Sequence, residues 1–501
     1  MTDHEVAVVG GGPVGMLLAL ELATHGVRTV VLERLPEPTG ESKAGTLHAR
    51  TAETLHRRGL LDAVQPGPHK AARGGGRSAT FHFAGLFALD IGRVVDEGPV
   101  IVGSPQAHAE QVFADRAAAL GAVIQRDSEV VGLDDLGDRV VLDVRSTSGA
   151  TRQVTADWVV GCDGARSAVR KLAGIGFVGT PGTVAALMGD VRLLDPDAAP
   201  VGWQRTERGW TLFWTNPFGH SRVCTYDFRD AALSRPDRTA PVTLEELRTE
   251  VERIAGRPVP MDRPRWLTRF TDAALQADTY RRGRVLVAGD AAHVHFPAGG
   301  QGVNLGLQDA VNLGWKLAAQ VRGWAPEGLL DTYHAERHPV AARVLYNVRA
   351  QVGLMLPDRR VDALRDLFVE LMRLPQVNDF LAGMITGVDV RYDTGRPDDR
   401  LAGLFLPDLR LRVGAEAATV AGLLRAGRPV LLDLADREPL RRVAAPWADR
   451  VDVVVASCAD VPSAPTLLVR PDGYLAWGGT GSEHDRDTLG EALRTWFGAP
   501  A

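Results

Sequence analysis

The sequence predicts an α/β protein with three units: a Rossmann-like domain that binds a dinucleotide, an antiparallel sheet inserted into it, and a C-terminal domain of strands and helices. Three observations lead to this fold class. A glycine-rich turn follows an apolar run at residues 6–9, a second strand, loop and helix pattern begins near residue 285, and strand-like runs occupy residues 180–280. The 501 residues leave room for about three domains of ~150 residues each.

The first element is a βαβ unit at the N-terminus. An apolar strand at residues 6–9 is followed by a helix at residues 15–25 and a second strand at residues 27–33. The turn after the first strand has the form G-x-G-x-x-G and contains Gly10, Gly12, Pro13 and Gly15. Glycines at this spacing allow a tight turn, a close approach of the backbone to a pyrophosphate and close packing of helix on strand. The helix N-terminus then favours the negative phosphates.

Glu33 ends the second strand of this unit. A carboxylate at that place accepts hydrogen bonds from a ribose. The alternative is a glycine-rich turn with an unrelated surface glutamate, but strand, glycines, helix and acid occur in the order that a nucleotide site requires. The motif alone does not distinguish FAD from NAD.

The second nucleotide-binding segment starts where Gly289 and Asp290 end a strand, and the sequence GGQGVN at residues 299–304 opens a helix. Asp290 can accept hydrogen bonds from a ribityl chain. The N–H groups of residues 302–304 can face a ring that becomes anionic on reduction, as the flavin of FAD does. The alternative is that Asp290 only caps a helix.

The middle of the chain, residues 181–280 together with residues 76–99, is predicted to be a substrate-binding domain. The FAD-binding domain is then discontinuous and comprises residues 1–75, 100–180 and 281–395. The aromatic residues of the middle domain are Trp203, Trp210, Phe213, Trp214, Phe218, Tyr226 and Phe228. A planar polycyclic substrate would stack on such rings, although alternating aromatics in a sheet more often belong to a core.

The C-terminal unit, residues 400–501, alternates strands and helices in an order that resembles the thioredoxin fold. Pro465, which precedes a strand, resembles the cis-proline of that fold, and we expect a cis peptide bond there. Cys458 is the only cysteine of the unit, which argues against a redox function. We expect a structural role or a role in supporting a homodimer.

Composition excludes several classes of protein. The net charge of −5 gives no electrostatic reason to expect nucleic acid or an anionic membrane as a partner. The apolar runs fall short of the ~18 residues of a spanning helix, and the acidic N-terminus does not resemble a signal peptide. Three widely spaced cysteines form neither a disulfide framework nor a metal site. We therefore expect a cytoplasmic protein without a metal.

Three segments carry a family resemblance: GGGPVG with Glu33, GCDGARSAVR at residues 161–170, and the segment from Gly289 to Leu317. They resemble the fingerprints of the single-component FAD-dependent aromatic hydroxylases, the family of p-hydroxybenzoate hydroxylase and phenol hydroxylase. The greatest similarity is to the bacterial aromatic polyketide hydroxylases of antibiotic biosynthesis. This resemblance implies a noncovalent FAD and a reaction with NADPH and O2. A flavin C4a-hydroperoxide would hydroxylate a phenolic polycyclic polyketide.

The resemblance also implies roles for individual residues at the adenosine and pyrophosphate end of FAD. Glu33 would hold the adenosine ribose, and Gln106 would contact FAD near the pyrophosphate. Asp163 belongs to a motif associated with both FAD and NADPH. Lys43 stands where p-hydroxybenzoate hydroxylase has a phosphate-binding arginine, and it supplies charge without a bidentate fork.

At the flavin end, the resemblance implies that Asp290 holds the ribityl chain and that Pro297 borders the ring where oxygen reacts. Gly302, Val303 and Asn304 would contact the pyrimidine side of the flavin. His293 and His295 lie inside the same segment, and we expect them to be structural rather than a metal site or a catalytic base. No catalytic base is identified.

Two further expectations concern the reaction. No second G-x-G-x-x-G follows a strand, because Gly74 to Gly76 lie in a basic loop, so NADPH is expected to visit the flavin transiently. A Baeyer–Villiger monooxygenase acting on a polyketide ketone is the nearest alternative enzyme. A non-catalytic binding protein on the same fold is the alternative outside enzymes.

Overall fold

The computed structural model describes residues 2–65, 79–216, 219–229, 240–395, 399–459, 463–479 and 481–500. Gly74 to Gly76 and Phe218 lie outside the described residues. The elements below are given in chain order.

Residues 2–180 begin with the βαβ unit and end near the middle domain. The strands are β1 (His4–Val9), β2 (Thr29–Leu32), β3 (Thr46–His48), β4 (Thr80–Phe83), β5 (Leu86–Asp90), β6 (Ile101–Gly103), β7 (Val123–Gln125), β8 (Glu129–Asp135), β9 (Val140–Arg145), β10 (Thr151–Gly161) and β11 (Phe177–Thr180). The helices are α1 (Pro13–Thr24), α2 (Ala49–Arg57), α3 (Gln106–Ala119) and α4 (Ala168–Leu172).

Residues 181–395 contain the middle sheet and the long helices. The strands are β12 (Ala185–Leu193), β13 (Gly202–Thr206), β14 (Gly209–Trp214), β15 (Ser221–Asp227), β16 (Met261–Thr271), β17 (Ala274–Ala277), β18 (Arg281–Arg282), β19 (Val285–Val287) and β20 (His293–Val294). The helices are α5 (Leu244–Ala255), α6 (Gln301–Val321), α7 (Thr332–Met355), α8 (Asp362–Met372) and α9 (Pro375–Thr386).

Residues 399–500 form the C-terminal unit. The strands are β21 (Arg410–Val413), β22 (Glu416–Thr419), β23 (Val430–Asp433), β24 (Asp452–Val455), β25 (Ser457–Cys458), β26 (Thr466–Val469) and β27 (Leu475–Gly479). The helices are α10 (Val420–Leu423), α11 (Glu438–Ala444) and α12 (Asp485–Phe497).

The first domain is built on a sheet whose parallel strands follow the order β19-β10-β1-β2-β7. Apolar β-branched residues fill these strands because both faces of the sheet are covered. The register aligns Val9 with Leu32 and Gly161, and Gly161 with Val287. The carboxyl ends of four strands therefore meet at one edge of the sheet, which is where open α/β sheets bind ligands.

The middle domain is an antiparallel sheet with the strand order β13-β14-β15-β12-β16, as the alternating pattern predicted. One of its faces packs on α5, and the other faces the β4–β5 hairpin and the segment before α6. The second face of this sheet thus lies towards the carboxyl edge of the parallel sheet.

The C-terminal unit has a sheet of order β24-β23-β26-β27. Strands β23 and β24 are parallel and joined by α11, whereas β26 and β27 form an antiparallel hairpin followed by α12. This is the thioredoxin-like order expected from the sequence.

The expectation of a cis peptide bond before Pro465 is wrong, since the described residues include no cis peptide bond. The Pro465 carbonyl accepts a hydrogen bond from the Leu434 N–H at 2.8 Å, and Thr466 pairs with Asp433. The trans chain therefore enters β26 already in register with β23. The chain thus keeps the intrinsic trans preference of an X–Pro bond, which is ~0.5–1 kcal/mol.

Candidate cofactor and substrate site

The glycine-rich turn after β1 uses its glycines in two different ways. Gly10 has φ +106°, and a Cβ on it would overlap the carbonyl oxygen of Cys162. A Cβ on Gly15 would overlap the carbonyl oxygen of Gly10. A Cβ on Gly12 would meet no atom within 4 Å, so the space in front of it is open. Gly10 and Gly15 thus build the turn, and Gly12 leaves room for a pyrophosphate above the N-terminus of α1, where Pro13 begins the helix.

Glu33 lies beside this turn because β2 pairs with β1. Its Oε2 accepts a hydrogen bond from the Gly11 N–H at 2.6 Å, and its Oε1 accepts one from the Leu35 N–H at 2.9 Å. The half-buried carboxylate is therefore fixed in place by the backbone and keeps lone pairs for a ligand hydroxyl.

Asp163 follows β10 at the same edge of the sheet. Its Oδ2 accepts hydrogen bonds from the N–H groups of Ala168 at 2.6 Å and Val169 at 3.1 Å, at the start of α4. Its Oδ1 is buried without a hydrogen-bond partner in the described structure. One oxygen thus caps α4, a role that sequence reasoning missed, and the other is left for a donor.

Lys43 and Gln106 lie at the loop that leads into β3. The side-chain Oε1 of Gln106 accepts from the Ala44 N–H at 3.2 Å, and its backbone N–H donates to the Ala44 carbonyl at 3.0 Å. Lys43 is exposed, and its Nζ lies 3.5 Å from Glu41. Arg222 of β15 donates to the Lys43 carbonyl at 3.2 Å, a contact between the two domains that sequence reasoning missed.

Asp290 lies in the short turn after β19. The residue is accessible to solvent. Desolvation nevertheless raises the pKa of its carboxyl group, and this effect outweighs the lowering by His293 and Lys43. Neither the 3-10 turn Gly289–Ala291 nor α6 has a side-chain cap, so the alternative of a helix-capping Asp290 is wrong.

The N-terminus of α6 is formed by Gly299 and Gly300, with φ +72° and +66°. The N–H groups of the first helical turn, which include those of Gly302 and Val303, have no partner within a helix. The side chain of Asn304 bonds to β3. Its Oδ1 accepts from the His48 N–H at 2.8 Å, and its Nδ2 donates to the Thr46 carbonyl at 3.2 Å. Asn304 therefore holds β3 against α6.

Aromatic side chains form a wall next to this helix start, defined by Phe81, His82, Trp203, Tyr226 and Phe296. Ring centroids are 4.9 Å apart for Phe81 and His82, 5.2 Å for His82 and Trp203, 5.4 Å for Trp203 and Tyr226, and 5.2 Å for Tyr226 and Phe296. Because Phe296 precedes the exposed Pro297, the wall leads to the start of α6.

The other aromatic residues of the middle domain do not join this wall in the same way. Trp210 and Phe213 are buried core residues, and the Trp214 side chain is 64% exposed. Phe228 is partly buried against the cluster that contains Trp210.

These residues fit FAD. Five features lie along one edge of the sheet. They are the open space at Gly12, the Glu33 carboxylate at the end of β2, the unpartnered oxygen of Asp163, the desolvated carboxylate of Asp290 and the N-terminus of α6, which has no side-chain cap. In the part of the chain that the structure describes, no group of three or more His, Cys, Asp or Glu residues is arranged to hold a metal ion. The same part has no helix of the length and apolarity needed to cross a bilayer.

Comparison with known proteins agrees with this site. An FAD binding domain family matches residues 3–348, and the C-terminal domain of aromatic-ring hydroxylases matches residues 399–500. The 12-dehydrotetracycline 5-monooxygenase/anhydrotetracycline 6-monooxygenase of Streptomyces rimosus is 43% identical over 99% of both chains. The rifampicin monooxygenase of Streptomyces venezuelae is likewise 43% identical over 99% of both chains.

A solved structure, the OxyS anhydrotetracycline hydroxylase from Streptomyces rimosus, covers 99% of this chain and 100% of its own with 42% identity and a TM-score of 0.91. The dialkyldecalin synthase of Streptomyces rugosporus is 38% identical over 99% of both chains, so similar proteins also carry names of other reactions.

The fold and the site define a flavin-dependent monooxygenase. The chain belongs to the FAD binding domain family and carries the C-terminal domain of the aromatic-ring hydroxylases. The predicted family and FAD as the cofactor are thereby confirmed.

Proposed function

We propose that this enzyme hydroxylates a phenolic, polycyclic aromatic polyketide with NADPH and O2. The observation that carries the proposal is the aromatic wall, which runs from the β4–β5 hairpin to Phe296 beside the start of α6. Offset stacking on several rings favours a flat substrate. The names of the similar proteins, which include monooxygenases of tetracycline intermediates and of rifampicin, support the same class.

The proposal assigns FAD to the carboxyl edge of the parallel sheet. Gly10, Gly12, Pro13 and Gly15 would receive the pyrophosphate with help from Gln106, and Glu33 the adenosine ribose. The flavin end would be held by Asp290, Pro297, Gly302 and Val303, with Asn304 acting through β3. Asp163 and Lys43 would supply a hydrogen-bond acceptor and a positive charge. When bound, FAD supplies the activation of O2.

The chain's own residues then bind and orient the substrate and exclude water. Phe296 and Tyr226 are buried, so the end of the wall beside the start of α6 is shielded from solvent. The proposal includes a transient visit of NADPH, a cytoplasmic location and a second copy of the chain as a partner. It keeps the domain division of residues 1–75, 100–180 and 281–395 for FAD, 76–99 and 181–280 for substrate, and 400–501 for the C-terminal unit.

Two measurements test the proposal. The purified protein should release FAD on heating, and its NADPH oxidation should be slow alone and stimulated by a phenolic polycycle such as anhydrotetracycline or a hydroxyanthraquinone. A product one oxygen heavier than the substrate is expected. The proposal is contradicted if the protein cannot be reconstituted with FAD, or if it forms no oxygenated product from these phenolic polycycles.

A further inference from the structure

One polar ring interrupts the aromatic wall. His82, on β4, lies between Phe81 at 4.9 Å with an interplanar angle of 17° and Trp203 at 5.2 Å with an angle of 56°. Its side chain is partly accessible, whereas Tyr226 and Phe296 further along the wall are buried. A ligand that stacks on this wall therefore meets His82 before it reaches the start of α6.

One backbone hydrogen bond to the His82 ring indicates which ring nitrogen carries the proton. The Gly85 N–H donates to Nδ1 of His82 at 3.4 Å, so Nδ1 acts as an acceptor. Burial, with a smaller contribution from His48, lowers the pKa of His82 to about 4. The ring is therefore neutral near pH 7, and its proton must reside on Nε2. Within the described residues, Nε2 has no hydrogen-bond partner.

We propose that His82 determines substrate specificity by donating its Nε2–H to a carbonyl oxygen of a flat, uncharged, polycyclic ketone stacked on Trp203. This inference rests on the proposed function for the location of the substrate. Besides the flat aromatic rings of the substrate, it adds a ring ketone as a second group that the enzyme recognises. It also names His82 as the residue that binds this ketone.

The chemistry of the wall explains why a ketone is the matching ligand. The Nε2–H donor has no acceptor among the described residues, and a carbonyl oxygen of a stacked ligand supplies one. The neighbouring rings carry no charge, so a carboxylate placed among them would lose its hydration without a paired cation. A neutral donor among aromatic rings thus selects a neutral acceptor on an aromatic ligand.

Two substitutions separate the Nε2 donor from the rest of the side chain. His82→Asn keeps an oxygen near the position of Nδ1, where it can accept from Gly85, and removes the donor at the ε position. His82→Gln places an amide N–H near the position of Nε2. Trp203→Leu serves as the matched control, because it removes stacking surface and leaves the donor in place.

The probes are 9-fluorenone and fluorene, two flat three-ring molecules that differ in a carbonyl oxygen. Binding is followed through the flavin absorbance of the oxidised holoenzyme without NADPH. We expect the unaltered enzyme to bind fluorenone about tenfold more tightly than fluorene. His82→Asn should bind both equally, His82→Gln should retain the preference, and Trp203→Leu should weaken both probes by a similar factor. 9-Oxofluorene-4-carboxylate should bind the unaltered enzyme more weakly than fluorenone.

The inference is overturned if the unaltered enzyme binds neither probe, binds the two equally or prefers the carboxylate. It is also overturned if His82→Asn keeps the preference for fluorenone, or if His82→Gln loses it while still binding fluorene normally. These outcomes differ from a failure of the proposed function, which shows itself as missing FAD or missing oxygenated product before any probe is added.

Discussion

Asp309 and His293 form a fully buried pair, with Nε2 of His293 2.6 Å from Oδ2 of Asp309. The same oxygen accepts the Gly289 N–H at 3.1 Å, and the other oxygen accepts Nε of Arg337 at 2.8 Å. Because Gly289 precedes Asp290, this carboxylate bonds α6 to the turn that carries Asp290. His293 therefore belongs to a buried hydrogen-bond network with Asp309, and among the described residues it does not join His295 in a metal site.

Asp309→Ala should destabilise the apoprotein strongly, because it leaves Arg337 buried without its carboxylate. Loss of one partner of a buried pair costs about 3–5 kcal/mol, which urea unfolding monitored by circular dichroism measures. Asp138→Ala is the control, since Asp138 pairs with Arg139 on the surface. Equal unfolding midpoints for the two variants would remove Asp309 from this role.

Asp290→Ala should lower FAD affinity about tenfold to hundredfold, the loss of one set of charge-assisted hydrogen bonds. The stability of its apoprotein should be unchanged, since Asp290 neither caps a helix nor holds the backbone. Glu33→Ala should disturb the flavin ring less, because the proposal places Glu33 at the adenosine end. It should also loosen the turn, because Glu33 holds the Gly11 and Leu35 N–H groups. Titration of the apoproteins with FAD checks both, and normal FAD affinity in Asp290→Ala would exclude Asp290 from the site.

Gly10→Ala and Gly12→Ala should fail in different ways. The first places a Cβ onto the Cys162 carbonyl at φ +106° and should reduce the amount of folded protein. The second adds a methyl group to open space and should leave apoprotein unfolding unchanged while FAD binding weakens. Thermal unfolding and FAD content of the two variants provide the comparison. A fully stable Gly10→Ala protein would show that the turn tolerates the clash.

The C-terminal unit is held to the first domain by buried charges. Glu336 accepts from Lys316 at 2.7 Å and from Arg470 at 2.5 Å, and Arg470 also pairs with Asp472. Burial raises the pKa of Glu336, but the charges of Arg470 and Lys316 overcome this effect and hold the pKa well below its usual range. A carboxyl with a depressed pKa contributes stability above its unfolded pKa of about 4.3, and that stability is lost as the pH falls below it.

We therefore expect the free energy of unfolding to decrease as the pH falls from about 5 to about 3, and to depend less on pH in Glu336→Gln. At pH 7 this variant should lose about 3–5 kcal/mol. Glu207→Gln, which affects an exposed pair with Arg359, should stay within about 1 kcal/mol of the unaltered protein. An identical pH dependence in Glu336→Gln and the unaltered protein would contradict this account.

Cys458→Ser should leave NADPH oxidation and product formation unchanged. Cys458 lies at the end of the short strand β25, and the unit carries no second cysteine with which it could cycle as a disulfide. Steady-state rates with a phenolic polycycle measure the effect. A loss of more than about tenfold in rate, with normal FAD content, would restore a redox role for this unit.

Local spacing was sufficient to predict that four of the candidate site residues lie at strand ends. Gly12, Glu33, Asp163 and Asp290 each follow a strand, and parallel strands bring their carboxyl ends together whatever the rest of the chain does. Spacing could not predict that the Asn304 side chain holds His48, because the partners are 256 positions apart and belong to different elements.

The aromatic residues show the same limit of periodicity. Trp203 joins the wall, whereas the Trp214 side chain is 64% exposed, although both lie on strands of one sheet. Alternation assigns side chains to two faces but does not say which face meets the site. Sequence reasoning missed His82 because it lies on a short hairpin. The register of this hairpin shifts between Phe81 and Phe83, so its side chains do not follow a regular alternation of two faces.

The structure of the product tests the central claim most directly. The enzyme is incubated with NADPH, ¹⁸O2 and the phenolic polycycle that most stimulates NADPH oxidation, and the product is analysed by mass spectrometry and NMR. Hydroxylation and Baeyer–Villiger insertion both add one oxygen atom, so the carbon framework decides between them. The account predicts one ¹⁸O on a new hydroxyl-bearing carbon of an intact aromatic ring, and a ring-expanded lactone or an ester with the label in its alkoxy oxygen would contradict it.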